Sequence, residues 1–417
     1  MTSSEKLDSF VEWMKLRGFV LSDALRFAEI DGVRGVVAVK DMPARSLIYS
    51  APLSTAFLAP FNSPAFAGLE AAKELRDDPW TALIVTLMAE KSLGSASEFA
   101  PYLDILPQPG KDFEATANPL LWPAAARESL LKGTETERLL GLDDIRATFE
   151  SVALPVFRAN EKMFGGRDTE ELFREYLYFG CMVMGRGFDA HPEYDGPVMT
   201  PMADMLNHRT GFCNSHLEED EEDDDDDEHE EHEDCDCHGD ERISMYTIAD
   251  VQAGKELINT FGDRSNGELL RRYGFTDPVN EFDCVGIPLE YLGKPVILRN
   301  MVKFGCASPD GFTLTKDLKL EPELRKALRL CSGTKADRVT IKKVGKVMTK
   351  DLTKSEWQRL CDACRKRLAD YPTTIDEDKE LLAKESSQIA IDALRVRIGE
   401  KDILVQMITK CVSKIEK

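Results

Sequence analysis

The sequence has no long apolar run, no excess of basic residues and no pattern of paired cysteines. Its longest strongly apolar stretch, Trp80–Ala89, is about half the roughly 18 residues that a membrane-spanning helix needs, so we expect a core helix there. The opening residues, Met1–Asp8, show neither the basic and apolar parts of a secretion signal nor an arginine-rich transit pattern. We therefore expect a cytoplasmic or nuclear protein without membrane attachment.

Positive charge is scarce: 53 Lys and Arg stand against 75 Asp and Glu, which gives a formal net charge of −22. The imbalance is local, because residues 218–241 hold 18 of the acidic residues and no Lys or Arg. The rest of the chain is nearly neutral and offers no broad basic face, so we expect no direct nucleic-acid binding. Like charges at this density cannot collapse into a core, which predicts a disordered acidic loop at 218–241. Such a loop either attracts basic protein segments or is solvated and has no role.

Ten cysteines occur without a disulfide framework, and we expect reduced thiols. Cys361 and Cys364 have the spacing of a zinc-ligand pair. They fall in a stretch with helical periodicity and have no second pair nearby, which favours packing in a core over metal binding. A group of Cys and His in the acidic loop is suited only to adventitious capture of a soft metal, so no functional metal site is expected; its members are His229, His232, Cys235, Cys237 and His238.

Apolar periodicity predicts an α+β fold: a β-rich region interrupted by a helical insert and followed by an all-α C-terminal domain. The predicted segments are 1–63 (a helix and first strands), 64–180 (helical insert), 181–288 (β-rich core with the acidic loop) and 289–417 (the α-domain). Strands are predicted at Arg26–Ile30, Val33–Val39, Ser46–Ser50, Val198–Thr200, Ile243–Ile248 and Glu256–Asn259. Helices are predicted at Leu7–Gly18, Trp80–Leu93, Trp122–Leu131, Gly141–Asn160, Thr169–Met184, Asp376–Glu400 and Asp402–Val412.

Three short strings carry the polar residues that are best suited to a site. They are Ala203–His208, which ends in Asn207-His208; Gly254–Gly262, which contains Phe261; and Tyr273–Phe275. Taken alone, Asn207-His208 fits a turn with a buried histidine hydrogen bond, and the Gly254 string fits a turn that leads into a strand. The order of the three strings along the chain is more informative about function than any one string alone.

In this order the strings resemble the SET-domain protein methyltransferases, in the branch that contains Rubisco large-subunit lysine methyltransferase and SET domain-containing protein 6. The resemblance covers nearly the whole chain, from the glycine-bearing strand Gly32–Ala38 to Leu394–Leu404, which is similar to the end of the helical substrate-binding domain. It implies a β-rich SET fold, S-adenosylmethionine as the cofactor, and a target lysine on a protein substrate. We expect a monomer that acts on a non-histone protein, such as a ribosomal or chromatin-associated one.

The resemblance also implies a role for each matching residue. Those expected to border the cofactor are Val33, Arg34, Gly35, Arg186, Asn207, His208 and Phe275. Those expected to line the lysine channel are Arg186, Asp204 and Tyr273. Phe261 and Tyr273 occupy the catalytic positions. A neutral lysine amine must then be desolvated and aimed at the methyl group, with positioning and electrostatics supplying the acceleration.

Phe261 departs from the family pattern, in which a tyrosine hydroxyl helps to orient the amine and the methyl group. Losing one preorganised polar contact costs roughly 3 kcal/mol, or about a hundredfold in rate. The change is compatible with a slow methyltransferase, with one that has an altered acceptor, or with a cofactor-binding protein that no longer catalyses; we favour a protein-lysine methyltransferase. The alternatives are a catalytically impaired SET-fold protein that acts as a binding module, and a protein-histidine methyltransferase. Gly185 also stands where relatives often have a serine, which implies one cofactor hydrogen bond fewer.

Overall fold

The structure is a computed structural model that describes residues 2–30, 32–107, 118–219, 241–293, 302, 308, 311–332 and 351–416. The contacts divide the chain into two compact units, here called unit 1 and unit 2. Unit 1 consists of Met1–Thr116 and Gly141–Gly262, and unit 2 of Ala117–Leu140 and Asp263–Lys417. Residues 117–140, predicted within the helical insert, and residues 263–288, predicted within the β-rich core, thus group with the C-terminal part.

Twelve strands occur in the described residues. They are β1 Val20–Leu21, β2 Leu25–Ile30, β3 Val33–Ala38, β4 Leu47–Pro52, β5 Gly187–Phe188, β6 Val198–Met199, β7 Asn207–His208, β8 Ser215–Glu219, β9 Arg242–Thr247, β10 Glu256–Asn259, β11 Cys284–Ile287 and β12 Phe312–Thr315.

The α-helices of unit 1 are α1 Ser3–Leu16, α2 Leu53–Ala56, α3 Pro64–Ala67, α4 Pro79–Leu93, α5 Ala100–Ile105, α8 Leu142–Thr148, α9 Leu154–Ala159, α10 Glu161–Phe164 and α11 Thr169–Arg186. Those of unit 2 are α6 Ala124–Leu130, α7 Glu135–Arg138, α12 Asn266–Tyr273, α13 Pro322–Ser332, α14 Lys354–Leu368, α15 Ile375–Leu382 and α16 Gln388–Glu416. Short 3-10 turns lie at Pro60–Asn62, Ala72–Leu75, Gly94–Ala96, Pro119–Leu121, Ala203–Met205 and Leu289–Tyr291.

Unit 1 contains two four-stranded sheets, in the strand orders β1-β4-β9-β8 and β2-β3-β10-β7, and the small pair β5-β6. Neighbouring strands are antiparallel except β7 and β10, which pair in parallel and so bring two distant parts of the chain side by side. The β2–β3 turn contains Gly32, whose φ of +81° lies in the left-handed region that favours glycine. Residues Thr81–Glu90 of α4 are all buried, because this helix is apolar on every side.

Unit 2 is mainly helical, with one antiparallel pair of strands, β11 and β12. Its largest core packs the strands and α13 against α14 and α16. A second cluster explains why residues 117–140 belong to this unit: Trp122 and Leu131 are buried with Leu270 of α12 and with Ala393 and Val396 of α16. Burying these side chains is the main favourable term that holds the segment there.

The predicted α+β fold with a helical C-terminal region is confirmed, with three local corrections. The C-terminal domain is not wholly α-helical, because β12 lies in it. The predicted helix Gly141–Asn160 is divided by a π-helical turn at Phe149–Ala153, just before Pro155, which lacks the N–H that a regular helix uses. The predicted helices Asp376–Glu400 and Asp402–Val412 are wrong in the place of their break: it lies at residues 383–387, between α15 and α16, and α16 continues from Gln388 to Glu416. The buried Lys401 ammonium, inside α16, pairs with Asp378 of α15 at 2.6 Å.

The acidic loop begins later than predicted, because Glu218 and Glu219 belong to β8. Glu218 Oε1 lies 2.8 Å from Arg45 Nη1, and this ion pair favours an ordered strand end. Residues 220–240, with the cysteines and histidines of the loop, lie outside the described residues. Cys361 and Cys364 are fully buried in the unit 2 core.

Among the described residues, no helix is both long and apolar enough to span a bilayer. The same residues contain no cluster of three or more Cys, His, Asp or Glu that is arranged to hold a metal ion.

Candidate functional site

The first part of the site forms where β7 meets β3 and β10. The side-chain amide of Asn207 donates to the Arg34 carbonyl oxygen at 3.1 Å and to Glu256 Oε1 at 2.8 Å. These groups close over Gly35: a Cβ added there would lie 2.5 Å from Glu256 Oε1 and 2.8 Å from Asn207 Nδ2. Glycine is therefore needed at position 35 because side chains approach its backbone closely.

His208, the second residue of β7, is fixed by the segment that follows β10. The Phe261 backbone N–H donates to His208 Nδ1 at 3.0 Å, so this ring nitrogen is an acceptor and a neutral imidazole carries its proton on Nε2. The Phe261 ring stacks on the imidazole with a centroid distance of 5.0 Å and an interplanar angle of 16°. Phe261, predicted at a catalytic position, thus supports His208, a predicted cofactor-binding residue, through both its backbone and its ring.

Asp204 is the centre of a buried polar group in the 3-10 turn that precedes β7. Its side chain is fully buried and lies 3.8 Å from Arg186 Nη1, which also donates to the Asp204 carbonyl oxygen at 2.7 Å. The Tyr102 hydroxyl, from α5, donates to Asp204 Oδ2 at 2.9 Å. The Arg34 guanidinium, which donates to the Ile105 carbonyl oxygen at 2.7 Å, acts electrostatically on the same carboxylate. These contacts bring Arg34, Arg186 and Asp204 together within unit 1.

Burial raises the pKa of Asp204 from 3.8 to about 6, although Arg186, the Tyr102 hydroxyl and Arg34 each favour its charged form. The buried Tyr49 phenol also faces this carboxylate, and its pKa is raised by burial first and by Asp204 second. Because the folded-state pKa of Asp204 lies above its ordinary value, the contribution of this group to stability is complete at low pH. It is lost as the pH rises through about 6.

Tyr102→Phe should destabilise the protein more at pH 8 than at pH 5. At pH 8 the substitution removes a hydrogen bond to an ionised carboxylate and costs about 2 kcal/mol, whereas at pH 5 the carboxyl is largely protonated and the cost is about 1 kcal/mol. The free energy of unfolding in denaturant at the two pH values measures the difference. Tyr176→Phe is the matched control, because the Tyr176 hydroxyl bonds the neutral Thr81 hydroxyl at 3.0 Å. Equal losses for Tyr102→Phe at both pH values would contradict the contact with an ionised Asp204.

Two further predicted site residues belong to unit 2. Tyr273 is the last residue of α12, which ends at Gly274 with a left-handed φ of +79°. Phe275 follows at once, and the two rings lie 6.3 Å apart at an angle of 55°. Burial raises the pKa of the Tyr273 phenol, so it is a neutral hydroxyl at physiological pH. The roles predicted for Tyr273 and Phe275 remain predictions.

The structure adds two residues for which the sequence predicted no role. Glu256 lies in the second string, but only the fold shows that its carboxylate orients the Asn207 amide. Tyr102 lies in the largely apolar helix α5 and packs against Phe10 and Trp13, as a core residue does. Its hydroxyl partner is 102 positions away in the sequence, and no local pattern indicates that pairing. Val33, at the edge of the predicted site, is 57% exposed at the start of β3.

The fold of the chain is similar to known structures. The crystal structure of the SET domain of LSMT bound to lysine and AdoHcy superposes with a TM-score of 0.75 and 21% identity, over 99% of this chain and 92% of that one. Rubisco LSMT bound to AdoMet gives a TM-score of 0.72 and 19% identity over the same shares. Structural similarity at this level of sequence identity establishes the fold alone, and the fold is that of the SET domain of LSMT.

Sequence comparisons agree with the fold. Residues 297–404 match the family model of the Rubisco LSMT substrate-binding domain. The N-lysine methyltransferase setd6 of Danio rerio is 24% identical over 98% of this chain and 96% of its own length. SETD6 of Bos taurus is 24% identical over 96% and 94%. The alignment with setd6 of Salmo salar has 26% identity and covers 70% of this chain and 63% of that protein.

The chain is therefore similar, in fold and in sequence, to the SET-domain proteins of the branch that contains Rubisco LSMT and SETD6, in agreement with the resemblance that its motifs indicated.

Proposed function

We propose that the chain is a methyltransferase that uses S-adenosylmethionine to methylate a lysine side chain of a protein. The observation that carries this proposal is the arrangement around β7. Asn207 is held above Gly35 by two hydrogen bonds, and His208 is held beside it by Phe261. The relatives named as N-lysine methyltransferases and the neighbours bound to AdoMet or AdoHcy support it.

The residues of unit 1 suit this cofactor. Amide, imidazole and guanidinium groups converge there with backbone carbonyls, a set that matches the charged amino-acid end and the polar adenine of S-adenosylmethionine. Val33, Arg34, Gly35, Asn207, His208 and Arg186 would hold the cofactor, which supplies a methyl group on a positively charged sulfur when bound. Asp204 Oδ1 is buried and has no hydrogen-bond partner among the described residues, so a polar ligand atom is favoured beside it.

The protein residues would then contribute to the reaction by positioning the reactants and by electrostatic interactions. Arg186 and Asp204 would border the target lysine, and burial around Asp204 excludes the water that would keep the lysine protonated. The Phe261 ring presents an apolar face and provides no hydroxyl to orient the amine. We propose a non-histone acceptor with basic segments, since the acidic residues 218–241 favour such segments electrostatically.

Transfer of a labelled methyl group to the proteins of a cell extract tests the proposed function. We expect labelled methyl-lysine after acid hydrolysis, on acceptors that mass spectrometry identifies as proteins with basic segments. The matched control is Asn207→Ala, which removes the amide that bonds Arg34 and Glu256 and should abolish both cofactor uptake and labelling. Labelled methyl-histidine would instead assign the protein-histidine reaction, and cofactor uptake without any labelling would assign the binding-module alternative.

A further inference from the structure

The short helix α12 ends in Tyr273, which is predicted both at a catalytic position and in the lysine channel. A helix of 8 residues has little stability of its own, so contacts with its surroundings decide where its end lies. The last four carbonyl oxygens of an α-helix have no partner within the helix. In α12 the Gly274 N–H donates to one of them, the Leu270 oxygen, at 3.0 Å. The Arg271 and Arg272 oxygens need donors from outside the helix.

Asn118 supplies both of these donors from a distant part of unit 2. Its amide nitrogen lies 3.0 Å from the Arg271 oxygen and 3.3 Å from the Arg272 oxygen. Its Oδ1 accepts the Leu120 N–H at 3.0 Å, so the amide uses both of its hydrogens and its oxygen. The reverse orientation of the amide would place its oxygen against two carbonyl oxygens. Because Asn118 is buried, leaving those carbonyls without it would be costly.

The segment that contains Asn118 is itself fixed within unit 2. The Glu135 N–H donates to the buried Glu400 carboxylate of α16 at 3.0 Å. The next residue, Thr136, donates through Oγ1 to the Gly267 carbonyl oxygen at 3.1 Å, in the first turn of α12. This segment therefore holds α12 at both ends, and Asn118 holds the end that carries the predicted catalytic tyrosine.

We propose that Asn118 is a positioning residue for methyl transfer, which acts by fixing the direction of the Tyr273 side chain. The Arg272 oxygen belongs to the planar peptide bond that joins Arg272 to Tyr273, so a hydrogen bond to this oxygen orients the backbone from which the tyrosine extends. A displacement of about 1 Å at a reacting centre slows an enzyme about a hundredfold. The assignment rests on the proposed function and on the role predicted for Tyr273.

Asn118→Asp tests the proposal in the full chain. It retains the acceptor for the Leu120 N–H, but it replaces the donor by a carboxylate oxygen at the negative end of α12. We expect the rate of labelled methyl transfer to the proteins of a cell extract to fall about tenfold at saturating S-adenosylmethionine, whereas the cofactor concentration that gives half of the maximal rate changes less than about twofold. Asn118→Asp with Tyr273→Phe should be no slower than Tyr273→Phe alone, because the hydroxyl that Asn118 positions is then absent.

The matched control is Asn160→Asp in unit 1, which makes the same chemical change near the end of α9. The Asn160 amide nitrogen donates to the Val156 and Glu70 oxygens at 2.8 and 3.0 Å, and its Oδ1 accepts the Glu70 N–H at 2.9 Å. This variant should lose stability in denaturant but transfer methyl groups at the natural rate. Asn118→Ala, which adds no charge, takes the place of Asn118→Asp if that variant does not fold, and the same non-additivity with Tyr273→Phe is expected.

Fluorine NMR of the protein labelled with fluorotyrosine gives a readout that does not depend on activity, and Tyr273→Phe identifies the Tyr273 signal. Asn118→Asp should shift or broaden this signal, and Asn160→Asp should leave it in place. An unchanged signal in Asn118→Asp, or additive losses of rate in the double variant, would overturn the proposal. Absence of labelling by the natural protein would count against the proposed function, while the Tyr273 signal still decides whether Asn118 positions this ring.

Discussion

Phe261→Tyr is expected to raise the rate of methyl transfer about a hundredfold without changing the affinity for S-adenosylmethionine. The added hydroxyl supplies one preorganised polar contact, worth roughly 3 kcal/mol in comparable sites. The ring would keep its stacking on His208, and the backbone N–H would keep its bond to His208 Nδ1, so the residues proposed to bind the cofactor are undisturbed. Single-turnover transfer of a labelled methyl group at saturating cofactor measures the rate, and calorimetry measures the affinity.

The control for this substitution is Phe261→Leu, which removes the stacked ring and adds no polar group. It should not accelerate transfer, and it should weaken cofactor binding through the loss of support for His208. If neither substitution changes the rate, the side chain at 261 has no part in the reaction. If the natural protein shows no transfer and Phe261→Tyr does, the natural protein belongs with the impaired SET-fold proteins that act as binding modules.

Gly35→Ala should weaken binding of S-adenosylmethionine at least about a hundredfold. The new methyl group would lie within 3 Å of Glu256 Oε1 and Asn207 Nδ2, so the two side chains must separate. That separation breaks the bonds which hold the Asn207 amide, and two such bonds are together worth about 3 kcal/mol. Isothermal titration calorimetry with the purified full chain measures the loss.

Gly180→Ala is the matched control, because it adds the same methyl group elsewhere in unit 1. There the nearest heavy atom is Ile84 Cδ1 at 3.5 Å, an ordinary contact, and alanine is a better helix former than glycine within α11. Its cofactor affinity should equal that of the natural protein. An unchanged affinity in Gly35→Ala would show that the Asn207–Glu256 pair does not shape the cofactor site.

Apolar periodicity predicted most helices and strands correctly, because local interactions along the chain determine where they form. The predicted strand Glu256–Asn259 agrees with β10 at both ends, and α4 begins at Pro79 behind the Asp78 cap that its sequence indicates. The break before α16 was misplaced, because the charged Lys401 is buried inside this helix instead of lying exposed at a helix end. The buried ammonium of this residue needs Asp378 from another helix as its partner, and a one-dimensional pattern does not show that pairing.

The sequence by itself determined the likeness to the SET-domain methyltransferases and the set of candidate site residues, since motif order and spacing are properties of the chain. Only the tertiary structure decided how those residues are held. The amide of Asn207 is oriented by Glu256, the carboxylate of Asp204 by Tyr102, and the imidazole of His208 by the backbone at Phe261. Each of these pairs joins segments that lie between 49 and 102 positions apart. Hydrogen bonds act over about 3 Å, so only the folded chain selects such partners.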